Sequence, residues 1–356
     1  MSCSKRILVA PLNWGLGHAA RCIPIIEELL KRNAEVIIAS DGRALELLKK
    51  EFPDLKQLVL PSYNVRYWGN HMMLDIAAQL PKIILAVYRE RQRVKRVVDE
   101  WKIDAILSDN RYGCRSKKAL SILMTHQLNI KILFPLLEKI VGWVNRRMVE
   151  KFDECWVPDE VGEDNLSGAL SQNKRLKKVK FIGILSRMKP GKLPPKKYDC
   201  LVLLSGPEPQ RSFLEKQIIS QAKKLPLQFL LVQGKTERTG HFFIEKNIEV
   251  HAHLTSNELN EALLASQIVI CRSGYSSLMD LVTLNKKAIL IPTPGQTEQA
   301  YLAKRSLERG LFWVQSQENL NLKEAIEKVR QLKNPESWFF KKNGLGVVIQ
   351  KLLESI

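Results

Sequence analysis

The sequence predicts an α/β protein made of two doubly wound, parallel-sheet domains. Three observations carry this. Short apolar runs of strand length alternate with helical patterns from the first residues onward. The alternation breaks at residues 188–197, MKPGKLPPKK, and then restarts. The length of 356 residues exceeds one ordinary core, at roughly 100–200 residues per domain. The expected division is a first domain over residues 1–187, a second over 198–336, and a terminal helix over 337–356 that packs back on the first.

The elements follow from pattern. Arg6–Pro11 is a short apolar run ahead of a glycine-containing turn, as in a buried strand. Ile23, Ile26, Leu29 and Leu30 then recur at helical spacing, with Pro24 placed early in that helix, and Asn33 closes it. Glu35–Ser40 is the next strand, and this β-turn-α-β order implies a parallel sheet covered on both faces. Further strands are expected at 57–60, 104–108, 121–126, 154–157 and 180–183, with the longest helix over 81–101. The 188–197 stretch, rich in proline and lysine, reads as an exposed connector. Beyond it, strands are expected at 199–204, 228–232, 249–251, 267–271, 288–291 and 311–314. Two such domains imply a cleft between them, with ligands at the carboxyl ends of the strands.

Composition narrows the class. A chain that is 45% hydrophobic and 26% charged is neither disordered nor collagen-like. No apolar run approaches the ~18 residues of a membrane span. The apolar run at residues 7–10 is too short for a signal-peptide core, so a cytoplasmic protein is expected. The six cysteines include no CxxC pair and no Cys/His cluster with zinc spacing, so neither a disulfide framework nor a structural metal is expected. Lys and Arg total 56 against 37 Asp and Glu, a net +19, which favours anionic partners or simply solubility.

Three strand-turn-helix motifs carry chemistry. The first is Gly15-Leu16-Gly17-His18-Ala19-Ala20-Arg21. Its glycines let the backbone approach a ligand, and the helix N-terminus offers N–H groups and partial positive charge. Read as G-x-G-x-x-A with Asp41 ending the next strand, it also matches a dinucleotide site; His18, set where a pyrophosphate would press, argues against that. A histidine at this position can stay neutral and serve as a base near pH 7, or can merely hydrogen-bond the loop. Arg21 holds an anion or lies on the surface.

The second motif is Cys271-Arg272-Ser273-Gly274-Tyr275-Ser276-Ser277, followed by Asp280. Gly274 permits a tight turn, Ser276 and Ser277 add hydroxyls, and a phosphate can be cradled there. A helix terminus gives about 0.3–1 kcal/mol, up to ~2, whereas catalysis needs about 8 kcal/mol or more. Several aligned N–H groups and a cation, Arg272 or Arg211, are therefore expected to share the work, at ~3 kcal/mol for each well-placed donor. Asp280 is placed to accept from ribose hydroxyls, or is a solvated helix-face carboxylate. The third motif, Pro292-Thr293-Pro294-Gly295-Gln296-Thr297-Glu298-Gln299, sets Glu298 and Gln299 to bracket sugar hydroxyls, or only to cap a helix.

At these residues the chain resembles a glycosyltransferase related to family 28, of GT-B fold, and in particular the MurG-type N-acetylglucosaminyltransferases. The similarity is strongest over residues 269–310, where CRSG, the downstream acidic position, the Pro-x-Pro turn and the Gln occur in order, and fair over residues 6–40. The resemblance implies two Rossmann-like domains, a nucleotide-sugar donor held mainly by the second, and no metal or resident cofactor, a UDP-sugar serving as co-substrate. It implies that Ser273, Gly274 and Ser276 face the donor phosphates, with Gly17 and Arg272 beside them. Asp280 takes the ribose, where relatives carry Glu, and Gln299 with Glu298 contacts the donor sugar. Ser205 and Gly206 stand where a glycine-rich loop binds nucleotide, with Arg211 nearby, and Leu254 presents backbone to the base. His18 sits at the position of the family's candidate base. Two departures leave the donor sugar open: Trp14-Gly15-Leu16-Gly17 replaces a run of glycines, and Ala300 replaces a second Gln. His18-x-x-Arg21 also resembles a UDP-sugar hydrolase of the same fold, in which His18 activates water.

On the acceptor side, Asp109, Asn110, Arg111 and Tyr112 follow one strand and Thr125, His126 and Gln127 the next, polar groups that suit acceptor recognition, with His126 alternatively a satisfied loop histidine. Residues 81–98 and 131–151 join apolar side chains to basic runs, as in helices that lie on an anionic membrane or as in core helices with a solvated face. The expected setting is the cytoplasm, peripheral on the inner face of the plasma membrane, with a lipid-linked or cell-envelope acceptor. No zinc finger, RNP pattern or other nucleic-acid module is evident, so no nucleic-acid partner is expected.

Overall fold

The computed structural model describes residues 4–65, 72–131, 135–192, 194–333 and 344–356. The chain forms two compact units, each built on its own seven-stranded sheet; the first takes the residues up to Leu185 and the last helix, and the second takes those from Ser186 onward together with the Gly15–Gly17 turn.

The first unit runs β1 (Arg6–Pro11), α1 (Leu16–Lys31), β2 (Glu35–Ser40), α2 (Gly42–Glu51), β3 (Lys56–Val59), α3 (Met72–Ala78), α4 (Leu80–Trp101), β4 (Ala105–Asp109), β5 (Leu120–Met124), α5 (Pro135–Val149), β6 (Glu154–Val157) and β7 (Val179–Phe181). The strand order is β3-β2-β1-β4-β5-β6-β7, and every pairing is parallel. The central strands are buried on both faces, which is why they read as continuous apolar runs rather than alternating ones. Leu8, Ile37 and Ile106 pack with Val94, Val97 and Val98 of α4 to form the core on one side of the sheet.

The second unit runs β8 (Tyr198–Leu203), α6 (Gln210–Ala222), β9 (Phe229–Val232), β10 (His241–Glu245), β11 (Ile248–His251), α7 (Ser256–Leu264), β12 (Ser266–Cys271), α8 (Tyr275–Thr283), β13 (Lys287–Leu290), α9 (Thr297–Glu308), β14 (Trp313–Val314) and α10 (Leu322–Gln331). Its sheet order is β10-β11-β9-β8-β12-β13-β14. Val202, Leu231, Ile270 and Ile289 form its core with Leu214 of α6 and Ile326 of α10. The last helix, α11 (Gly344–Ser355), belongs with the first unit, where Arg32 donates to the Gly346 carbonyl at 3.1 Å. Residues 334–343, which take in the start of the expected terminal helix, lie outside the described residues.

Three findings depart from expectation. Pro24 is not early in its helix: α1 begins at Leu16, so the proline removes a backbone N–H from the helix interior. β10 was not expected; it pairs antiparallel to β11 and forms one edge of the second sheet. The connector is docked at its start, where Met188 is buried and Lys189 exchanges backbone hydrogen bonds with the Asn260 side chain at 3.0 and 3.1 Å. The five cysteines in the described residues are free and buried.

Candidate active site

Both sheets reverse direction of strand addition at their middle. In the first unit the reversal lies between β1 and β4, in the second between β8 and β12. Strands beside a reversal send their following loops to opposite faces, which leaves a crevice at their carboxyl ends. The three motifs and the post-β4 loop follow these strands and β13.

In the first unit, Pro11 of β1 pairs with Asp109 of β4, so the glycine turn and Asp109 share one end of the sheet. Gly15 has φ +104°, a left-handed value that suits glycine. Gly17 and His18 then open α1. His18 Nδ1 lies 3.0 Å from Asp109 Oδ1. Against a carboxylate, which only accepts, Nδ1 donates when it carries the hydrogen, and in that tautomer the neutral ring has its lone pair on Nε2. Arg21 is 2% exposed and neither superficial nor positioned for a ligand. Its Nε donates to Asp109 Oδ2 at 2.6 Å, and its Nη2 contacts both Asp109 Oδ1 and His18 Nδ1. Its Nη1 reaches His126 Nδ1 at 3.1 Å. Burial pushes the Asp109 carboxyl up, but Arg21 and His18 outweigh it and hold the group down at about 2. Asp109 therefore stays ionised at any working pH. Sequence reasoning missed it as the partner of His18, from which it is 91 residues distant.

The acceptor-side expectations are largely corrected. Arg111 is fully buried, paired with Glu90 and Asp41 and donating to the Pro61 carbonyl at 2.8 Å. Burial would lower its pKa, and the two carboxylates overcome that and keep it charged. Tyr63 adds a 2.8 Å hydrogen bond to Glu90. With no exposed surface, Arg111 is a structural ion-pair centre rather than an acceptor contact. Tyr112 is likewise engaged, donating to Asn145 Oδ1 at 2.6 Å and packing on the Leu123 cluster. His126 is 4% exposed and joined to Arg21, which puts it behind the His18 pair. Asn110, with φ +57°, is half-buried at the end of β4 and keeps a surface to offer.

In the second unit, Ser205 is exposed and Gly206 turns the chain with φ +98° just after β8. Gly274 is the N-cap of α8, and Ser276 is half-buried in its first turn. A Cβ built on Gly274 meets nothing within 4 Å, whereas the Ser276 hydroxyl donates to the Gly17 carbonyl at 2.9 Å. Ser273 is buried and donates to the Gln299 carbonyl at 2.8 Å, so its hydroxyl ties two motifs together instead of facing a phosphate. Gln299 is also mostly buried, and its Oε1 accepts from Thr293 N at 2.8 Å, leaving its Nε2 for a ligand. Glu298 is half-buried in the first turn of α9. Leu254 is buried just ahead of α7, whose start is closed by a capping box of Thr255 and Glu258.

The two expected phosphate cations are both corrected. Arg211 is 4% exposed, paired with Glu208 and donating to the Gln233 carbonyl at 2.8 Å. Arg272 is fully buried beneath the loops. Its Nη1 reaches the Ile291 and Pro292 carbonyls at 3.2 and 3.3 Å, and its Nη2 reaches Gln210 O and Gln317 Oε1 at 2.9 and 2.7 Å. Arg272 thus fastens the loop after β13 and the start of α6 to the end of β12. All these acceptors are neutral, and its Nε is buried without a partner. Burial draws its pKa down to about 10, so it is charged near neutrality with no carboxylate beside it.

Asp280, one turn further along α8, accepts from Ser186 Oγ at 2.5 Å. Burial raises its carboxyl to about 6, and Arg187 and Ser186 offset only part of that.

Residues 205–343 match the family model described as glycosyltransferase family 28 C-terminal domain. An uncharacterized glycosyltransferase of Methanopyrus kandleri is 24% identical over 85% of this chain and 90% of its own length. The UDP-N-acetylglucosamine–N-acetylmuramyl-(pentapeptide) pyrophosphoryl-undecaprenol N-acetylglucosamine transferase of Natranaerobius thermophilus is 23% identical over 91% of this chain and 90% of its own. Among solved structures, the kitacinnamycin glycosyltransferase superposes with a TM-score of 0.64 at 15% identity, covering all of this chain and 96% of the other. Acinetobacter baumannii MurG gives 0.60 at 11% identity, covering 99% of this chain and all of the other. The chain is a glycosyltransferase with the GT-B fold, similar to the MurG-type enzymes.

Asp280 yields a prediction. Its folded pKa lies above the unfolded value near 3.9, so the group favours folding below about pH 4, and that contribution is lost as pH rises through about 6. Asp280→Asn mimics the protonated form. It should gain about 2–3 kcal/mol over the parent at pH 8 in urea titrations and nothing at pH 4, while weakening nucleotide binding. Equal stabilities at both pH values would show that Asp280 is not held in a costly state.

Proposed function

We propose that the chain transfers a sugar, an N-acetylhexosamine, from a UDP-sugar to a hydroxyl of a lipid-linked cell-envelope acceptor in one inverting, metal-independent displacement. The observation that carries the reading is the 3.0 Å contact between His18 and Asp109. Asp109 fixes the imidazole with Nδ1 protonated, so Nε2 can take the acceptor proton as the acceptor oxygen attacks the anomeric carbon. The bond from that carbon to the diphosphate breaks, and UDP leaves with the electron pair. The first turn of α8 would receive the growing negative charge through its N–H groups, while the Ser276 hydroxyl holds the Gly17 carbonyl, and the buried Arg272 cation adds its field. Gly206 and Leu254 would bring backbone to the nucleotide, Asp280 would hold the ribose, and Gln299 and Glu298 would face the sugar. The Natranaerobius relative, a transferase named for a UDP-N-acetylglucosamine donor, supports this reading.

A base of this kind contributes about 10²–10⁴-fold. His18→Ala should lower kcat by at least about 100-fold and leave nucleotide affinity intact. Asp109→Asn should lower kcat too, by freeing the imidazole to take the other tautomer. Unchanged turnover in His18→Ala would remove it from the mechanism. The His18–Arg21–Asp109 network serves a hydrolase equally well, with water in place of the acceptor. Release of free sugar from donor alone, at the rate seen with acceptor, would favour that second reading.

We further propose that the first unit docks on an anionic membrane surface. Among the described residues no helix is long and apolar enough to cross a bilayer. Yet α4 exposes Leu80, Ile84, Leu85 and Tyr88, and α5 exposes Leu137, Ile140, Trp143 and Val144. Ile84 is 62% and Trp143 53% exposed, so these apolar residues are not core packing. Arg89, Arg91, Arg93, Lys95, Arg96 and Arg147 are exposed on the same two helices. Each basic group near an anionic leaflet is worth about 1 kcal/mol. Residues 132–134 of the second basic-apolar stretch lie outside the described residues. The protein should sediment with phosphatidylglycerol vesicles, be released by salt, and bind less as Ile84→Glu or Trp143→Glu. Equal behaviour toward neutral and anionic vesicles would rule the proposal out.

A further inference from the structure

One edge of the second sheet carries a cluster that sugar transfer does not use. β10 pairs antiparallel with β11, with His241 opposite His251 and Phe243 opposite Glu249. Side chains alternate across a strand, so His241, Glu249 and His251 share one face of the hairpin. The two imidazole Nε2 atoms converge on a single carboxylate oxygen. Glu249 Oε1 lies 3.1 Å from His241 Nε2 and 3.0 Å from His251 Nε2. The two ring centroids are 4.4 Å apart. The other carboxylate oxygen is held from behind: Tyr198 donates to Oε2 at 2.8 Å, and the Lys197 ammonium lies 3.4 Å from it.

We propose that His241, Glu249 and His251 form a binding site for one divalent transition-metal ion, with zinc the best fit, leaving a fourth position for water. The donor set is chemically specific. Two imidazoles and a carboxylate suit zinc, copper or nickel rather than magnesium or calcium. The spacing is close to what is required: bonds of about 2.0–2.1 Å in a tetrahedron put ligand atoms roughly 3.4 Å apart. All three donor atoms lie within 4.8 Å of one another, and the half-exposed His241 ring can close the remaining gap by rotation. Tyr198 supplies the orienting contact from outside the ligand set, keeping Oε1 turned toward the histidines. Lys197 opposes the ion's charge, so affinity falls below that of closed four-ligand sites. The ion would tie β10, an edge strand paired on one side only, to β11. The absence of zinc spacing in the sequence gave no hint, because the ligands come from two strands and meet only through their register.

The test uses the full chain, stripped with chelator and titrated with zinc chloride by calorimetry, with cobalt(II) as a spectroscopic probe. The expected result is one equivalent bound, with visible cobalt bands of tetrahedral type. His251→Ala and His241→Asn should each weaken binding by about 100-fold or more and abolish those bands. Tyr198→Phe should weaken it about tenfold, as loss of an orienting contact does. His241 is half-exposed on an edge strand, so His241→Asn keeps the fold, which circular dichroism checks. Zinc binding that persists unchanged in both histidine variants, or no zinc binding by the parent chain, would overturn the proposal.

Discussion

The candidate chemistry depends on one geometric constraint: parallel strands all finish at the same edge of their sheet. Loops that are far apart in the chain are thereby gathered side by side. Pro11 and Asp109 are register partners, so the turn bearing His18 and the carboxylate that orients it are brought together by backbone pairing before any side chain acts. The same rule sets Ser205, Gly274 and Thr293 after β8, β12 and β13 of the second sheet. In each unit the strand order reverses at the strand that precedes the first glycine turn, which is where an open sheet leaves room for a ligand.

Buried charge is distributed unequally, and the inequality is informative. Asp109 and Arg21 neutralise each other, and so do Arg111, Glu90 and Asp41. Breaking such a pair by removing one partner costs about 3–5 kcal/mol. Arg272 and Asp280 differ: one is a cation surrounded by neutral acceptors, the other a carboxylate raised by burial. Neither state is favourable for folding alone. Both lie within the segment from β12 into α8. Stability sacrificed there is consistent with a site whose missing counter-charge and hydroxyl partners come from a bound nucleotide.

Much of this was legible in the sequence, and the limits have a physical cause. Apolar runs of four to six residues located most strands, because strands buried on both faces cannot alternate. Glycine turns followed by helices located the motifs. What the sequence did not convey was depth. A residue after a strand is certain to lie near the loop edge, but whether its side chain turns outward or into the scaffold depends on neighbours far along the chain. Arg111, Arg211 and Arg272 all turned inward. Asp109 was passed over as the partner of His18 for the same reason, the contact being non-local. β10 was missed because His241-Phe242-Phe243-Ile244-Glu245 has no clear period of two, and its exposed phenylalanines mark an edge rather than a core.

The central claim is that the open N-terminus of α8 seats the diphosphate of a uridine nucleotide. Its most direct test is a calorimetric titration of UDP against the parent chain and Gly274→Ala. Gly274 has φ −74°, a value any residue adopts, and its Cβ direction is open, so alanine should leave the melting temperature unchanged. The account predicts that the parent binds UDP and that the added methyl, placed where phosphate would approach, weakens binding at least about tenfold. UDP binding that is equal in the two proteins, or absent from the parent, would contradict it.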